Sequence, residues 1–342
     1  MKKILVVRYR FIGDTLLTVP FLRNLRKAEP DAQIDVLVSP GSGDVLKECP
    51  YINNLIYFDN SKKHRYEKNN STPIGFFGWC KYLREKNYDK AYILKRSLSS
   101  ALLIFFSGIK ERIGFDTEFR GFLLTKKVPY QKNKHEVDCF LDVLDADGIK
   151  INDNYLENWT NKDSQEKIDN LLAPYNNKKK VQVHATSGNL KKQWPLEYFA
   201  KVVEYLINEK DCYVFYCGAK SDEKTYDEIR TLIKTPLKHE PVNFCGKFSI
   251  EESTCLTKKM DLMIGNDSGN LHISSSLNVA TIAIYGPMDT KKWGVRGKHD
   301  VCLTTKLKCY PCGLKHKCKS EKACLYSITP DIVISNTEQI LT

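Results

Sequence analysis

The sequence has no strongly apolar run longer than Ala101–Phe106. A membrane-crossing helix needs about 20 such residues, so a helical membrane span is excluded. An export signal is not expected either. Met1-Lys2-Lys3 carries the charge of one, but the apolar stretch Ile4–Val7 ends at Arg8, against the roughly 7–15 residues that a signal core requires. The expectation is a cytoplasmic protein. Low-complexity tracts and short-period repeats are missing, which excludes solenoid arrays. No Gly-x-Gly-x-x-Gly and no Walker loop follows the first apolar run, which removes the ordinary dinucleotide and P-loop signatures. Acidic residues are few, 41 against 53 Lys and Arg, for a formal net charge of +12.

What is present is a globular composition, 42% hydrophobic and 27% charged over 342 residues. That is too apolar for a disordered chain and long enough for two domains. Twelve cysteines are many. In a cytoplasmic chain they read as reduced thiols, core residues or metal ligands rather than a disulfide framework. Eight are scattered through apolar or mixed segments. The other four, Cys309, Cys312, Cys318 and Cys324, are clustered, and a structural zinc is one reading of them; reduced thiols or a local disulfide are the others. Their last two gaps do not have zinc-ribbon spacing. The positive charge is also clustered. Lys291–Lys322 holds ten Lys/Arg and two Asp/Glu, a composition that suits either an anionic partner surface or simple solubility.

Apolar runs alternate with helical periodicity. Lys2–Arg10 reads as a buried strand broken by Gly13, and Leu16, Val19, Leu22 and Leu25 have helical spacing. Strands follow at Ile34–Val38, Leu55–Phe58 and Lys90–Leu94, with helices over Gly75–Glu85 and Ser97–Phe106. Asp59–Thr72 is polar and turn-rich, a candidate flap. Pro174–Lys180 reads as a linker. The rhythm then restarts, with strands at Val181–His184, Cys212–Tyr216, Val242–Phe244, Leu262–Ile264 and Thr281–Tyr285 separated by helices. The expected fold is α/β, two doubly wound Rossmann-like domains with a cleft between them. The expected boundaries are 1–175, 176–325 and a C-terminal segment 326–342 packing back on the first domain. Ligands of such sheets bind beyond the carboxyl ends of the strands.

Three segments carry chemistry. Ile12-Gly13-Asp14-Thr15 puts a carboxylate at a helix start, where Asp14 is either an N-cap or a general base. His184-Ala185-Thr186-Ser187-Gly188 followed by Lys192-Gln193-Trp194-Pro195 offers hydroxyls, backbone N–H groups and an ammonium, the groups a phosphate needs. A solvated polar loop is the plain alternative. Asn266-Asp267-Ser268-Gly269-Asn270-Leu271-His272 opens a strand end into a helix, a seat for a diphosphate on the helix dipole, with His272 on the first turn.

These motifs resemble glycosyltransferase family 9, the heptosyltransferases, and most closely its heptosyltransferase II-like branch. The resemblance runs over nearly the whole chain. It is carried by Arg8-x-x-x-Ile12-Gly13-Asp14 with Pro20, by Gly108-Ile109-x-x-Arg112-Ile113-Gly114 with Arg120-Gly121, and by the Lys192-x-Trp194-Pro195 loop. Asn266-Asp267-Ser268-Gly269-x-x-His272 and Tyr285-Gly286-Pro287 are its most specific part. The resemblance implies a GT-B fold and inverting, metal-independent transfer of a heptose from ADP-heptose to the inner core of lipopolysaccharide. It implies Asp14 as base and Lys192 as the cation that steadies the leaving group. Thr186, Ser187, Lys192, Ser268, Gly269 and His272 would hold the diphosphate, Asp267 the sugar hydroxyls and Phe248 the adenine. No cofactor and no catalytic metal are implied, and no nucleic acid partner.

The partners implied are the nucleotide sugar, a lipid-linked anionic glycan and the inner face of the cytoplasmic membrane, met peripherally by the basic segment. Lys95, Arg96, Arg112, Arg120 and Lys134 are the residues offered to acidic groups of the acceptor. The chain departs from the family at Gly218-Ala219-Lys220, where relatives carry Glu for the ribose; Asp222 and Glu223 are the candidate substitutes. Two other readings stay open: a family member using a UDP- or GDP-sugar, and a zinc-containing nucleic-acid-binding protein.

Overall fold

The computed structural model describes residues 1–59, 74–315, 318 and 322–342. The flap expected over Asp59–Thr72 lies, apart from Asp59, outside the described residues. The chain divides into two compact units, Met1–Leu156 and Glu157–Thr342.

The first unit is a parallel sheet of β1 (Lys3–Val7), β2 (Gln33–Val38), β3 (Asn54–Tyr57), β4 (Lys90–Ile93), β5 (Glu111–Phe115) and β6 (Lys126–Val128), in the order β3-β2-β1-β4-β5-β6. Its helices are α1 (Ile12–Leu16), α2 (Val19–Ala28), α3 (Phe76–Glu85), α4 (Leu98–Phe106) and α5 (Glu136–Asp145). Ile4, Leu5, Val6 and Val7 are all fully buried. A strand covered on both faces reads as a continuous apolar run rather than an alternating one, as parallel sheets require.

The second unit repeats the plan. Its strands are β7 (Lys180–His184), β8 (Tyr213–Tyr216), β9 (Val242–Asn243), β10 (Leu262–Asn266), β11 (Ala280–Ile284) and β12 (Asp300–Leu303), ordered β12-β11-β10-β7-β8-β9. Its helices are α6 (Lys162–Leu172), α7 (Leu196–Asn208), α8 (Glu223–Leu232), α9 (Ile250–Lys258), α10 (Gly269–Ser276), α11 (Thr290–Trp293), α12 (Ala323–Tyr326) and α13 (Pro330–Leu341). Leu262 and Ile264 join one apolar cluster while Met263 joins another. The pleat thus sends alternate residues of one strand into cores on opposite faces.

The boundary between the units falls before the expected one, at Leu156/Glu157. The Asn176–Lys180 run is not the junction between the units. The helix before it, α6, buries Ile168 and Leu172 in the same cluster as Phe215 and Met263. Apolar packing assigns α6 to the second unit, although the turn after it is polar enough to pass for a linker. The C-terminal helix joins the core of the second unit. Val333 of α13 joins the cluster of Val203 and Leu206 on α7, and the Trp194 indole donates to the Ile328 carbonyl at 2.8 Å.

Both sheets have the same reversal of strand order. The chain leaves β1 toward one edge and returns to the other edge through β4; β7 and β10 stand in the same relation. At such a switch point the two flanking loops splay apart and leave a crevice at the strand ends. Asp14 follows β1 and Lys95 follows β4. Thr186 follows β7 and Asp267 follows β10.

Candidate functional site

At the first switch point the tight turn is not made by Gly13. Arg10 and Phe11 take positive φ, 75° and 57°, and Gly13 lies inside α1. The N-cap position belongs to Phe11, so Asp14 is not the cap. Its carboxylate faces the buried Arg8 instead, with Nη2 2.7 Å from Oδ2. Arg8 Nε has no hydrogen-bond partner among the described residues, and the guanidinium lies 5.5 Å from the centre of the Phe140 ring. A carboxylate held from one oxygen keeps its orientation and leaves the other oxygen for a substrate hydroxyl.

Around this pair the charge is positive. The Lys95 ammonium is held down to about 8, first by burial and then by the Arg8, Arg10 and Arg96 charges, with Asp14 opposing. Arg96 stacks 4.0 Å over the Tyr130 ring. Of the five cations expected to meet an acidic acceptor, Lys95 and Arg96 stand here, with Arg96 Nη2 also 3.8 Å from Glu136 Oε1. The other three have structural work. Arg112 donates to the carbonyls of Ile109, Lys110 and Leu123. Arg120 is fully buried and donates to the carbonyls of Ile93, Ser97 and Phe115. Lys134 pairs with Asp142. Arg8 and Arg10 are the cations that the charge reading missed, although Arg8 stands in the motif.

The second switch point brings the remaining candidates together, apart from Phe248. Asn266, fully buried at the end of β10, donates to the Ala185 carbonyl (2.7 Å) and accepts from the Trp194 N–H (2.9 Å). It thereby ties the loop after β7 to the loop after β10. An amide ending an otherwise apolar strand was its signal. Gly265 permits the close approach of the two strands: a Cβ there would stand 2.9 Å from the His184 carbonyl oxygen. Ser187 Oγ donates to the Asp267 carbonyl at 3.2 Å, and Thr186 is buried beside it. Lys192 Nζ lies 2.8 Å from Asp267 Oδ2.

Helix α10 starts at Gly269 after Ser268, whose side chain does not cap it. The first-turn N–H groups are therefore left to another acceptor. Two further polar atoms are buried without a hydrogen-bond partner among the described residues, Ser268 Oγ and His272 Nδ1. Burial, aided by Lys192 and opposed by Asp267, lowers the His272 imidazole to about 4. It is neutral at pH 7 and keeps one N–H to donate. Unpartnered donors around a helix start, with an ammonium beside them, suit an oxyanion-rich ligand.

Phe248 sits apart, after β9, with its ring 5.2 Å from that of Phe244. Asp222, buried, accepts from the Ala219 N–H at 2.9 Å through Oδ2. Glu223 pairs with the exposed Lys220 at 2.6 Å. Of the four clustered cysteines, Cys309 and Cys318 are exposed and Cys312 and Cys324 half-buried. Among the described residues no group of three His, Cys, Asp or Glu side chains stands where it could hold a metal ion. Nor is any described helix long and apolar enough to cross a membrane.

The chain is similar to known proteins. Residues 78–323 match the family model for glycosyltransferase family 9 (heptosyltransferase). The lipooligosaccharide heptosyltransferase 2 of Haemophilus influenzae is 28% identical over 295 residues, 83% of each chain. The lipopolysaccharide heptosyltransferase 2 of Escherichia coli is 26% identical over 306 residues, again 83% of each. In fold, the chain matches the E. coli ADP-heptose heptosyltransferase II with a TM-score of 0.80 and 21% identity, covering 100% of this chain and 98% of that one. A family 9 glycosyltransferase from Veillonella parvula gives 0.85 and 22%, covering 99% and 97%. The fold is thus the GT-B type of these enzymes, and the chain belongs to glycosyltransferase family 9, the heptosyltransferases.

Proposed function

We propose that this enzyme transfers a heptose from ADP-heptose to the inner core of lipopolysaccharide, with inversion and without a catalytic metal. The observation that carries the reading is the pair of switch-point sites. One holds an oriented carboxylate among cations. The other holds an uncapped helix start with spare donors and a lysine. The names of the relatives supply the sugar and the acceptor.

Inversion is one displacement. The acceptor oxygen bonds to the anomeric carbon as the bond to the diphosphate breaks on the opposite face. The acceptor proton passes to Asp14, and negative charge moves onto the departing ADP. Lys192 and the N–H groups at the start of α10 would stabilise that charge electrostatically, the task a divalent cation performs elsewhere. His272, neutral with its proton on Nδ1, would donate to a phosphate oxygen, as would Thr186, Ser187 and Ser268, with Gly269 allowing close backbone approach. Asp267 would take sugar hydroxyls and Phe248 would flank the adenine. Lys95 and Arg96, with Arg10, would meet acidic groups of a lipid-linked acceptor at the inner face of the cytoplasmic membrane.

Thermal shift and transfer assays with ADP-heptose, UDP-sugars and GDP-sugars, each with and without EDTA, test the reading. It expects stabilisation and turnover with ADP-heptose and no loss on chelation. Preference for another nucleotide, favoured if the missing acidic ribose contact at Lys220 decides, would overturn the donor. Activity abolished by EDTA and restored by magnesium would overturn the metal-free mechanism.

A further inference from the structure

Large apolar side chains are left outside on one part of the first unit. Phe77 of α3 is 77% exposed, and Phe122, in the turn Gly121–Leu123, is 75% exposed. Phe105 and Phe106, at the end of α4, are exposed as well. Neither helix lacks an inward face. Helix α3 buries Trp79, Cys80 and Leu83, and α4 buries Ala101, Leu103 and Ile104. The outward rings are surplus to the core.

They form one surface. The Phe76 ring lies 5.6 Å from Phe77 and 6.3 Å from Phe106, and Phe105 lies 5.6 Å from Phe106. Arg112 sits 5.3 Å over the Phe105 ring and donates to the Leu123 carbonyl at 2.6 Å, which brings the Phe122 turn to the same side. Single exposed apolar residues are ordinary, but a contiguous patch marks an interaction surface.

The charge on and around the patch selects the partner. Arg84 donates to the Phe106 carbonyl at 2.6 Å, and Arg112 covers Phe105. Residues 74–112, which contain both helices, carry eight Lys/Arg against three Asp/Glu. Rings that can enter the acyl boundary, on a segment of net positive charge, complement an anionic bilayer. The patch also adjoins the Asp14 side of the sheet. Thr117, in the loop that leads to Phe122, donates to the Arg96 carbonyl at 3.0 Å.

We infer that this aromatic face of α3, α4 and the Phe122 turn docks the enzyme on an anionic phospholipid surface. Within the basic segment Lys291–Lys322, Lys292 is buried. The inference takes its purpose, but not its geometry, from the reading of a lipid-linked acceptor.

The test is co-sedimentation of the full chain with vesicles of phosphatidylcholine alone or mixed with phosphatidylglycerol, at low and moderate salt. The variants are Phe105→Ser/Phe106→Ser and Phe77→Ser/Phe122→Ser, with Lys298→Gln/Lys306→Gln/Lys308→Gln as the control. Each altered ring is exposed, and donor-induced thermal shift checks the fold. The wild type and the lysine control are expected to pellet with the anionic vesicles, less so at higher salt. Each aromatic pair is expected to weaken binding by about tenfold or more. Transfer to a soluble, deacylated acceptor should be unchanged in these variants, while transfer to a vesicle-embedded acceptor falls. Aromatic variants that pellet like the wild type would overturn the inference. So would a wild-type dimer that the serine variants dissolve without any vesicle binding, because the face would then join two copies. If no heptose transfer is found but vesicle binding still depends on the rings, the proposed reaction fails and the docking face stands.

Discussion

Replacing Lys192 by Gln tests the electrostatic part of the mechanism. The ammonium lies 2.8 Å from Asp267 Oδ2, with 23% of the lysine side chain and 10% of the aspartate side chain exposed. Two unit charges about 4 Å apart interact by roughly 4 kcal/mol at the effective dielectric typical of such partly buried sites. Removing one preorganised donor from a developing oxyanion costs about 10²–10³ in kcat, a similar energy. The expected loss is therefore about 10²–10³ in kcat, and donor binding weakens too because Asp267 then faces the diphosphate uncompensated. The same stripping of Asp267 should lower stability by about 1–3 kcal/mol, between the values for exposed and buried pairs. Adding Asp267→Asn to Lys192→Gln should recover most of that stability but not the rate, which separates the two effects. Steady-state transfer at saturating donor, with calorimetry for the donor, reads both. A Lys192→Gln enzyme within about threefold of wild-type kcat, a difference below 1 kcal/mol, would refute the reasoning.

Other perturbations follow from the same geometry. Arg8→Met removes the group that orients Asp14, so kcat should fall by roughly 10–100-fold with donor affinity unchanged; equal losses in both would mean Arg8 serves only the fold. His272 is held near 4 when folded, against an ordinary imidazole value of 6.5. Its contribution to stability is therefore complete above about 6.5 and is lost as pH falls toward 4, by about 3 kcal/mol at most. Thermal unfolding of His272→Gln should lose less stability than the wild type between those limits, and parallel profiles would contradict this. Lys95, lowered to about 8, should lose its charge as pH rises through that value. The KM for an anionic acceptor should then climb in the wild type and stay level in Lys95→Met.

How much of this was legible in the sequence depended on burial. Ile4–Val7 and Leu262–Ile264 announced themselves because strands covered on both faces are continuously apolar. Ser249 and Glu252 close a reciprocal cap at the start of helix α9, a pattern the sequence itself carries. Strand β6 was not readable. Two of its three residues are lysines, and as an edge strand it needs no apolar run. The turn before α1 was misassigned to Gly13. Arg10 and Phe11 adopt left-handed backbone without being glycine, and no local pattern signals that. The loops after β7 and β10 stood out in the sequence by their hydroxyls and glycines. That Asn266 joins them was not, because its two bonds run to residues 81 and 72 positions away. Charge alone also failed to separate Lys95 and Arg96 from Arg112 and Arg120, whose guanidinium groups are consumed by backbone carbonyls.

The most direct measurement is transfer by Asp14→Asn with donor affinity determined on the same preparation. The account predicts wild-type binding of ADP-heptose and a kcat reduced by about 10²–10⁴. Turnover close to the wild-type rate with binding intact would contradict it.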